Sequence, residues 1–273
     1  SQPPLSTQIQ TLEREVGVDL LSRTSRRVAL TPAGQAFLLR ARNMLDQYDR
    51  ALQEVREIQH GQDGLLEIGA TGSILRGGLA GLLARFAARH PRITLRLHEQ
   101  SPSAQIAEVL SRRTDVSFNR SIPREPELAH EYGWREEMVA LLPASHPLAG
   151  RPAVSIDDLR ADPHVVLRPE SSDFAAYLMA CLMARGHRPR ISQQVVDAQS
   201  IPSLIEAGFG ISIVPAAIAT LTAGPLVFLP IRPDPPVSDV FMVYRRDDPA
   251  PVLRSFLAEM RTLLEEKPAA SAG

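Results

Sequence analysis

Between residues 5 and 16 the apolar positions Leu5, Ile9, Leu12 and Val16 fall three or four apart, with mostly polar residues between them. That spacing gives a helix one apolar face. Ser1-Gln2-Pro3 reads as its start, with a hydroxyl N-cap and proline in the first turn. Gly17 stands where a C-cap would end it. Val18 to Leu21 is expected to pack back, and Arg23 to Leu30 reads as a short polar hairpin ending in the β-formers Val28 and Leu30.

A second helix is signalled by Thr31-Pro32, an N-cap followed by proline at the first helical position. No proline or glycine interrupts residues 35–59, where Phe37, Ala41, Met44, Tyr48, Ala51, Val55 and Ile58 alternate spacings of four and three. This is a heptad seam, widened by Leu38, Leu45 and Leu52. Such a helix spans roughly 40 Å. So long an apolar stripe implies a partner helix and hence a dimer; the competing reading is a helix lying on its own domain.

After the linker Gly61-Gln62-Asp63-Gly64 the period changes. Strand-like runs at 65–69, 93–99, 116–118, 139–142, 165–167, 191–196, 211–214 and 241–244 alternate with helix-like runs. The helical segments are 75–89, 104–111, the stretch near Asp157, 174–185, 201–207 and a final helix at 251–265. Alternation of this kind predicts an α/β domain with a mostly parallel sheet. Residues 268–273 read as a frayed tail.

Composition narrows the class. The 273 residues suffice for two domains, and 44% are hydrophobic, which is ordinary for a globular chain. No apolar run approaches the ~20 residues of a membrane span. No basic, apolar leader is present, so a cytoplasmic protein without membrane association is expected. The chain starts at Ser1 rather than Met, which suggests that something upstream is missing. The single Cys181 excludes an internal disulfide framework. The net charge of -1 does not advertise a nucleic-acid partner, but Arg23, Arg26 and Arg27 cluster within five residues.

One motif reaches further. Ser1-Gln2-Pro3-Pro4-Leu5-Ser6-Thr7-Gln8-Ile9, then Leu12-Glu13, Gly17-Val18, Leu20-Leu21-Ser22-Arg23, Arg26 and Leu30-Thr31-Pro32-Ala33-Gly34 resembles the winged helix-turn-helix signature of LysR-type transcriptional regulators. Leu21-Ser22 departs from it, since the family usually has Phe there. The resemblance implies that residues 1–34 are a recognition helix and wing, lacking the two helices that precede them in the family. Recognition helices enter the major groove by their N-terminal residues. Ser1, Gln2, Pro3, Ser6 and Thr7 are therefore DNA-contact candidates, and Gln2 suits bidentate contact with adenine. Arg23, Arg26 and Arg27 on the hairpin suit phosphates or the minor groove. Without the two preceding helices, weak operator binding by residues 1–273 alone is expected.

The resemblance continues over residues 64–262, to the LysR-type effector domain. It implies a periplasmic-binding-protein-like fold of two α/β lobes with a cleft between them. Lobe I would comprise about 64–135 and 238–262, and lobe II about 136–237, with crossings near 134–138 and 234–238 and a tail over 263–273. Residues 35–60 would be the dimerising linker helix, and a tetramer is implied. Asp115-Val116-Ser117-Phe118-Asn119-Arg120, His146-Pro147-Leu148, Gly208-Phe209-Gly210-Ile211-Ser212-Ile213-Val214-Pro215 and Arg245-Arg246-Asp247-Asp248-Pro249-Ala250-Pro251-Val252-Leu253 resemble the branch controlling aromatic-compound degradation, which responds to small carboxylates such as muconates.

Candidate ligand groups sit at strand ends. Thr71-Gly72-Ser73 follows a strand and opens a helix, whose N-terminal amides favour an anion while Ser73 adds a hydroxyl; Gly72 could equally serve the turn itself. Ser101, Pro102 and Ser103 end the next strand, at the carboxyl edge where ligands gather. Pro102 replaces a hydroxyl residue of the aromatic branch, which weakens a muconate-like effector unless Ser101 or Ser103 substitutes. Arg120 can pair a carboxylate bidentately or form a surface salt bridge. Gln199 and Ser200 begin a helix on the opposite lobe.

The remaining signals are bland. Gly208 and Gly210 read as a helix C-cap, and Cys181 as a core thiol. The seven histidines are scattered without ligand spacing, so no metal and no cofactor is expected. No catalytic constellation is legible, which argues against an enzyme. The expected function is a DNA-binding regulator answering to a small, carboxylate-type effector, with promoter DNA as partner and RNA polymerase a further candidate. The alternatives are a solute-binding protein of the same fold, or an effector-binding dimerisation fragment without specific DNA binding.

Overall fold

The computed structural model of this chain describes residues 5–24, 27–59, 64–221 and 224–266. Ser1, Gln2, Pro3 and Arg26, most of the 61–64 linker and the tail from residue 267 lie outside them. Contacts divide the chain into two units, residues 1–56 and 57–273.

The first unit opens with α1 (Leu5–Val16), ended by Gly17 in the left-handed region at φ +78°. Strands β1 (Leu21–Thr24) and β2 (Arg27–Leu30) form the expected antiparallel hairpin, with Leu21 opposite Leu30. Glu13 organises the turn between helix and hairpin. Its Oε1 accepts the backbone N–H groups of Leu20 and Leu21 at 3.0 and 2.9 Å. Helix α2 (Pro32–Gln59) is capped by Thr31, whose Oγ1 accepts the Gly34 N–H at 2.9 Å and donates to Asp19 O at 2.8 Å. A Cβ on Gly34 would lie 2.0 Å from Leu20 O, so only glycine lets the helix approach the hairpin. No residue of α1 is buried, and the seam residues Met44, Leu45, Tyr48 and Val55 of α2 are exposed.

The second unit begins with β3 (Gly64–Ala70) and α3 (Gly72–Ile74). A π-helical turn over Leu75–Leu79 leads into α4 (Ala80–Arg89). The helix expected from residue 75 thus starts at 72 and kinks at Gly78, where φ is +119°. Strand β4 (Ile93–Glu99), α5 (Pro102–Leu110), β5 (Val116–Asn119) and the long β6 (Leu128–Pro143) come next. Then come β7 (Pro163–Leu167), α6 (Asp173–Ala184), β8 (Arg190–Val195) and α7 (Ile201–Glu206). Strands β9 (Ser212–Pro215), β10 (Leu226–Pro230) and β11 (Val237–Arg245) precede α8 (Pro251–Glu265). Helix α8 ends where the apolar pattern predicts, and since Leu263 in it is fully buried the tail that the resemblance implies over 263–273 begins inside this helix.

The sheet is mixed, not mostly parallel. The pairs β3–β4, β3–β5 and β7–β8 are parallel, whereas β11 pairs β5 and β6, and β6 pairs β9 and β10, all antiparallel. Every one of these antiparallel pairs includes β6 or β11, the strands that carry the chain between lobes. Within β6 the partner changes from β11, up to Glu137, to β9, from Met138. That is the first crossing, and β11 enters at Val237 as the second. The first ten residues of β6 carry no strand signal in the sequence pattern, whereas β10, Leu226-Val227-Phe228-Leu229 after Gly224-Pro225, has one that the predicted strand runs omit. The run 128–137 is rich in charged residues, and its burial varies with the sheet's two faces rather than forming an apolar stretch.

Each lobe has its own core. In lobe I, Leu66, Ile68, Phe86, Phe118 and Phe256 cluster, with the Phe86 and Phe256 rings edge-on at 5.0 Å. In lobe II, Met138, Leu142, Phe174 and Ile213 fill one face of the sheet, and Leu141, Val165, Ile201 and Val214 fill the other.

Candidate functional site

Because β3, β4 and β5 run parallel, their carboxyl ends share one edge of lobe I. Ligands of α/β sheets gather at such an edge. Against it lies a cavity of about 350 Å³. Lobe I lines it with residues 71–74, 99–102 and 119–121, and lobe II with Leu167, Ser172, Phe174, 196–198 and Pro215. The volume suits a single-ring ligand.

Thr71 caps α3, its Oγ1 accepting the Ile74 N–H at 3.4 Å and lying 3.2 Å from Ser73 Oγ. Ser73 is buried at 3% exposure. Its hydroxyl accepts from Arg120 Nη1 at 2.8 Å. Arg120 is neither a free cation nor a surface salt bridge. Its side chain is 7% exposed, and Nε and Nη2 both donate to Glu136 Oε2, at 3.0 and 2.5 Å. Nε also reaches Ser238 Oγ at 3.1 Å, and the guanidinium carbon lies 5.7 Å from the Phe174 ring centroid. Glu136 and Ser238 flank the two crossings, so Arg120 ties the hinge strands to the ligand-facing turn. One N–H on each of Nη1 and Nη2 remains outside these bonds.

Gly72 serves space rather than turn geometry. A Cβ there would fall 1.6 Å from Gln199 Nε2 and 2.4 Å from Glu99 Oε1. Gln199 bridges the lobes in that gap, donating from Nε2 to Glu99 Oε1 at 2.8 Å and accepting from Arg76 Nη2 at 3.0 Å. Asp197, beside it, accepts the Gln199 backbone N–H at 3.0 Å.

The predicted ligand residues Thr71, Gly72, Ser73, Ser101, Pro102 and Arg120 therefore line one cavity. Gln199 closes its rim instead, Ser103 faces a neighbouring hollow of about 270 Å³, and Ser200 lines neither. Sequence reasoning missed Glu136, Ser238, Glu99, Asp197 and Phe174. Glu99 ends β4 and was findable by the strand-end rule that picked Ser101. Glu136 and Ser238 had no local signal, because only the paired crossing strands bring them to Arg120.

On the first unit, Ser6 and Thr7 are exposed on α1. Arg23 is held at 3.1 Å by Glu13, which fixes the direction of its guanidinium. Arg27 lies on β2.

Two scattered histidines do meet. His164 and His187 are buried, with their Nε2 atoms 3.3 Å apart. Burial pushes His164 down to about 4 and lowers His187 as well. Cys181 is half-buried on α6 rather than a core thiol. Among the described residues no three His, Cys, Asp or Glu side chains are placed to hold a metal ion, and no helix is long and apolar enough to cross a membrane.

Comparison with known proteins agrees with this architecture. Residues 59–265 match the LysR substrate binding domain, and residues 1–35 match the bacterial regulatory helix-turn-helix protein, lysR family. The HTH-type transcriptional regulator YnfL of Escherichia coli (strain K12) is 34% identical over 260 residues, covering 94% of this chain and 87% of that protein. BenM of Acinetobacter baylyi is 29% identical over 267 residues, covering 96% and 87%. Full-length CbnR in complex with its target DNA superposes with a TM-score of 0.82 at 29% identity, over 96% of this chain and 90% of that one. The two matched domains, in the order and extent that the fold shows, make this chain a member of the LysR family of transcriptional regulators.

Proposed function

We propose that this regulator answers to a small carboxylate held between the lobes, with Arg120 and Ser73 as its anion-binding pair. The carrying observation is the placement of Arg120: nine-tenths buried, lining the cavity, and holding an N–H on each terminal nitrogen outside its bonds to Glu136, Ser238 and Ser73. A ligand there touches residues of both lobes. It stabilises the closed arrangement only as far as it binds that arrangement better, which makes it a population shift across the two crossings.

The readout runs through the first unit. The exposed seam of α2 pairs with a second copy, giving a dimer and then a tetramer, and the α1 ends and hairpins of paired copies meet promoter DNA. Ser6, Thr7, Arg23 and Arg27, with Ser1, Gln2, Pro3 and Arg26, are the contact candidates. The CbnR structure holds its target DNA, which supports the same use of this end of the chain. Placement in the branch controlling aromatic-compound degradation is supported by the sequence motifs and by the similarity to BenM, whose effector is benzoate.

Calorimetry with a panel of aromatic carboxylates tests the pocket. Binding lost in Ser73→Ala and in Arg120→Ala is the expected result, whereas unchanged affinity in both variants removes the assignment.

A further inference from the structure

The cleft has a guanidinium, paired with Glu136, at one end and two carboxylates at the other. At one end stands the Arg120 guanidinium, 7% exposed, with Ser73. At the other, Glu99 and Asp197 both line the cavity. Their contacts are with a single neutral residue. Gln199 Nε2 donates to Glu99 Oε1 at 2.8 Å and to Asp197 Oδ2 at 3.3 Å, and its backbone N–H donates to Asp197 Oδ1 at 3.0 Å. Arg76 binds the amide oxygen of Gln199, not either acid. Among the described residues neither carboxylate has an ion-pair partner, whereas Arg120 is already balanced by Glu136.

The sheet fixes the spacing of the strands that carry Glu99 and lead to Arg120. Ala70 pairs with Phe118 on one side and with Glu99 on the other. Glu99 therefore lies two strands from the end of β5, just beyond which Arg120 stands. Two strand spacings are roughly 10 Å. Between the ends the wall is largely apolar, with Ile74, Pro102, Leu167, Phe174 and Val196. The cavity of about 350 Å³ has room for one ring between the two groups.

We infer that the cleft takes a monocarboxylate whose far end carries hydrogen-bond donors, hydroxyl or ammonium, and that it discriminates against dicarboxylates. The inference rests on the carboxylate reading of the Arg120 end. The donors satisfy Glu99 and Asp197, which a bare ring leaves without a ligand partner. A second carboxylate is brought against two like charges, and like-charge juxtaposition is an effective way to reject a ligand. Gly72 contributes by leaving room for Gln199 to hold the acids at the rim.

The test is calorimetry on the full chain with benzoate, 3,4-dihydroxybenzoate, 4-(aminomethyl)benzoate and terephthalate. At least one of the two donor-bearing ligands is expected to bind about tenfold or more tightly than benzoate, with terephthalate weakest. In the Glu99→Gln/Asp197→Asn double variant the gap to terephthalate should close to within about threefold. If the double variant does not fold, Glu99→Gln alone is read the same way. Terephthalate binding as well as the donor-bearing ligands, or a ranking unmoved by the variants, overturns the inference and leaves the carboxylate reading standing. No binding by any of the four ligands to folded chain overturns both.

Discussion

Helices α2 and α8 both carry an apolar stripe, but they use it in opposite ways. In α8 the residues Phe256, Met260 and Leu263 are fully buried, covered by the lobe I core. In α2 the residues Met44, Tyr48 and Val55 are 70%, 62% and 64% exposed. Sequence periodicity alone draws the two almost alike. The difference lies in the surface each stripe meets. Lobe I supplies α8 with β-strands and α4 at the right distance, whereas the α2 stripe repeats every seven residues, the period of helix–helix pairing. Helix α8 is stable because its own chain folds; if α2 is stabilised by a second chain, as proposed, only that helix depends on concentration.

The largest expected effect breaks the α2 side of this contrast. Met44→Glu with Val55→Glu places four charges in a two-fold seam, since each substitution counts twice in a homodimer. Dimer affinity should fall by roughly a thousandfold or more, because charges in such a core are neither solvated nor paired. Sedimentation velocity across a dilution series measures it. A dimer that persists at micromolar concentration would mean that α2 is not the pairing element.

The matching change in α8 is Phe256→Ala. Phe256 meets Phe86 and Phe118 edge-on, at centroid distances of 5.0 and 6.4 Å. Emptying that position should cost about 3–5 kcal/mol of effector-domain stability. Urea unfolding monitored at the single tryptophan, Trp134 in the same core, reads it directly. The association of α2 should be untouched, and a large change in dimer affinity would show that the two helices do not draw on separate sources.

The same contrast explains what the sequence made legible. Local signals served well where an element answers to its own residues: Gly17 at +78°, Thr31 capping α2, and α8 over 251–265. Of the ligand-facing residues, those at strand ends were found because parallel strands present their carboxyl ends together. What stayed hidden depends on long-range pairing. Glu136 and Ser238 reach Arg120 only through β6 and β11, and His164 and His187 meet across 23 residues. Several motifs behind the family resemblance turn out to be structural. Arg245 donates to the carbonyls of Val109 and Thr114 and pairs with Asp248, whose other oxygen accepts the Ala250 N–H at the start of α8. In His146-Pro147-Leu148, the histidine Nδ1 accepts the Leu148 N–H while Nε2 meets Asp162.

Acid sharpens the comparison, because the buried histidine pair belongs to the effector domain alone. His164, held near 4 chiefly by burial, is neutral in the folded domain but titrates near the ordinary value of 6.5 once unfolded. Below that value the unfolded chain therefore binds more protons. Its contribution to stability is full above about pH 6.5 and erodes as pH falls, by up to about 1.4 kcal/mol per unit, levelling near pH 4. Lowered carboxylates such as Glu131, held down chiefly by Arg261, add acid sensitivity only at lower pH, below about 4.5. Unfolding free energies between pH 7 and 5 should show the slope, and His164→Gln should flatten it. An equal slope in the variant would assign the effect elsewhere.

The smallest change probes whether the two units are independent at all. Thr31 Oγ1 satisfies one of the orphan N–H groups at the start of α2 and anchors the helix to Asp19 O. Thr31→Ala should cost about 1 kcal/mol of local stability, the usual loss for a capping hydroxyl. In a helix stabilised by a partner chain, that loss appears as weaker association and lower helicity on dilution. At high concentration, where the seam is saturated, it should all but vanish. The effector-domain unfolding midpoint should not move at any concentration, and a parallel shift of that midpoint would mean that α2 and the lobes fold as one cooperative body.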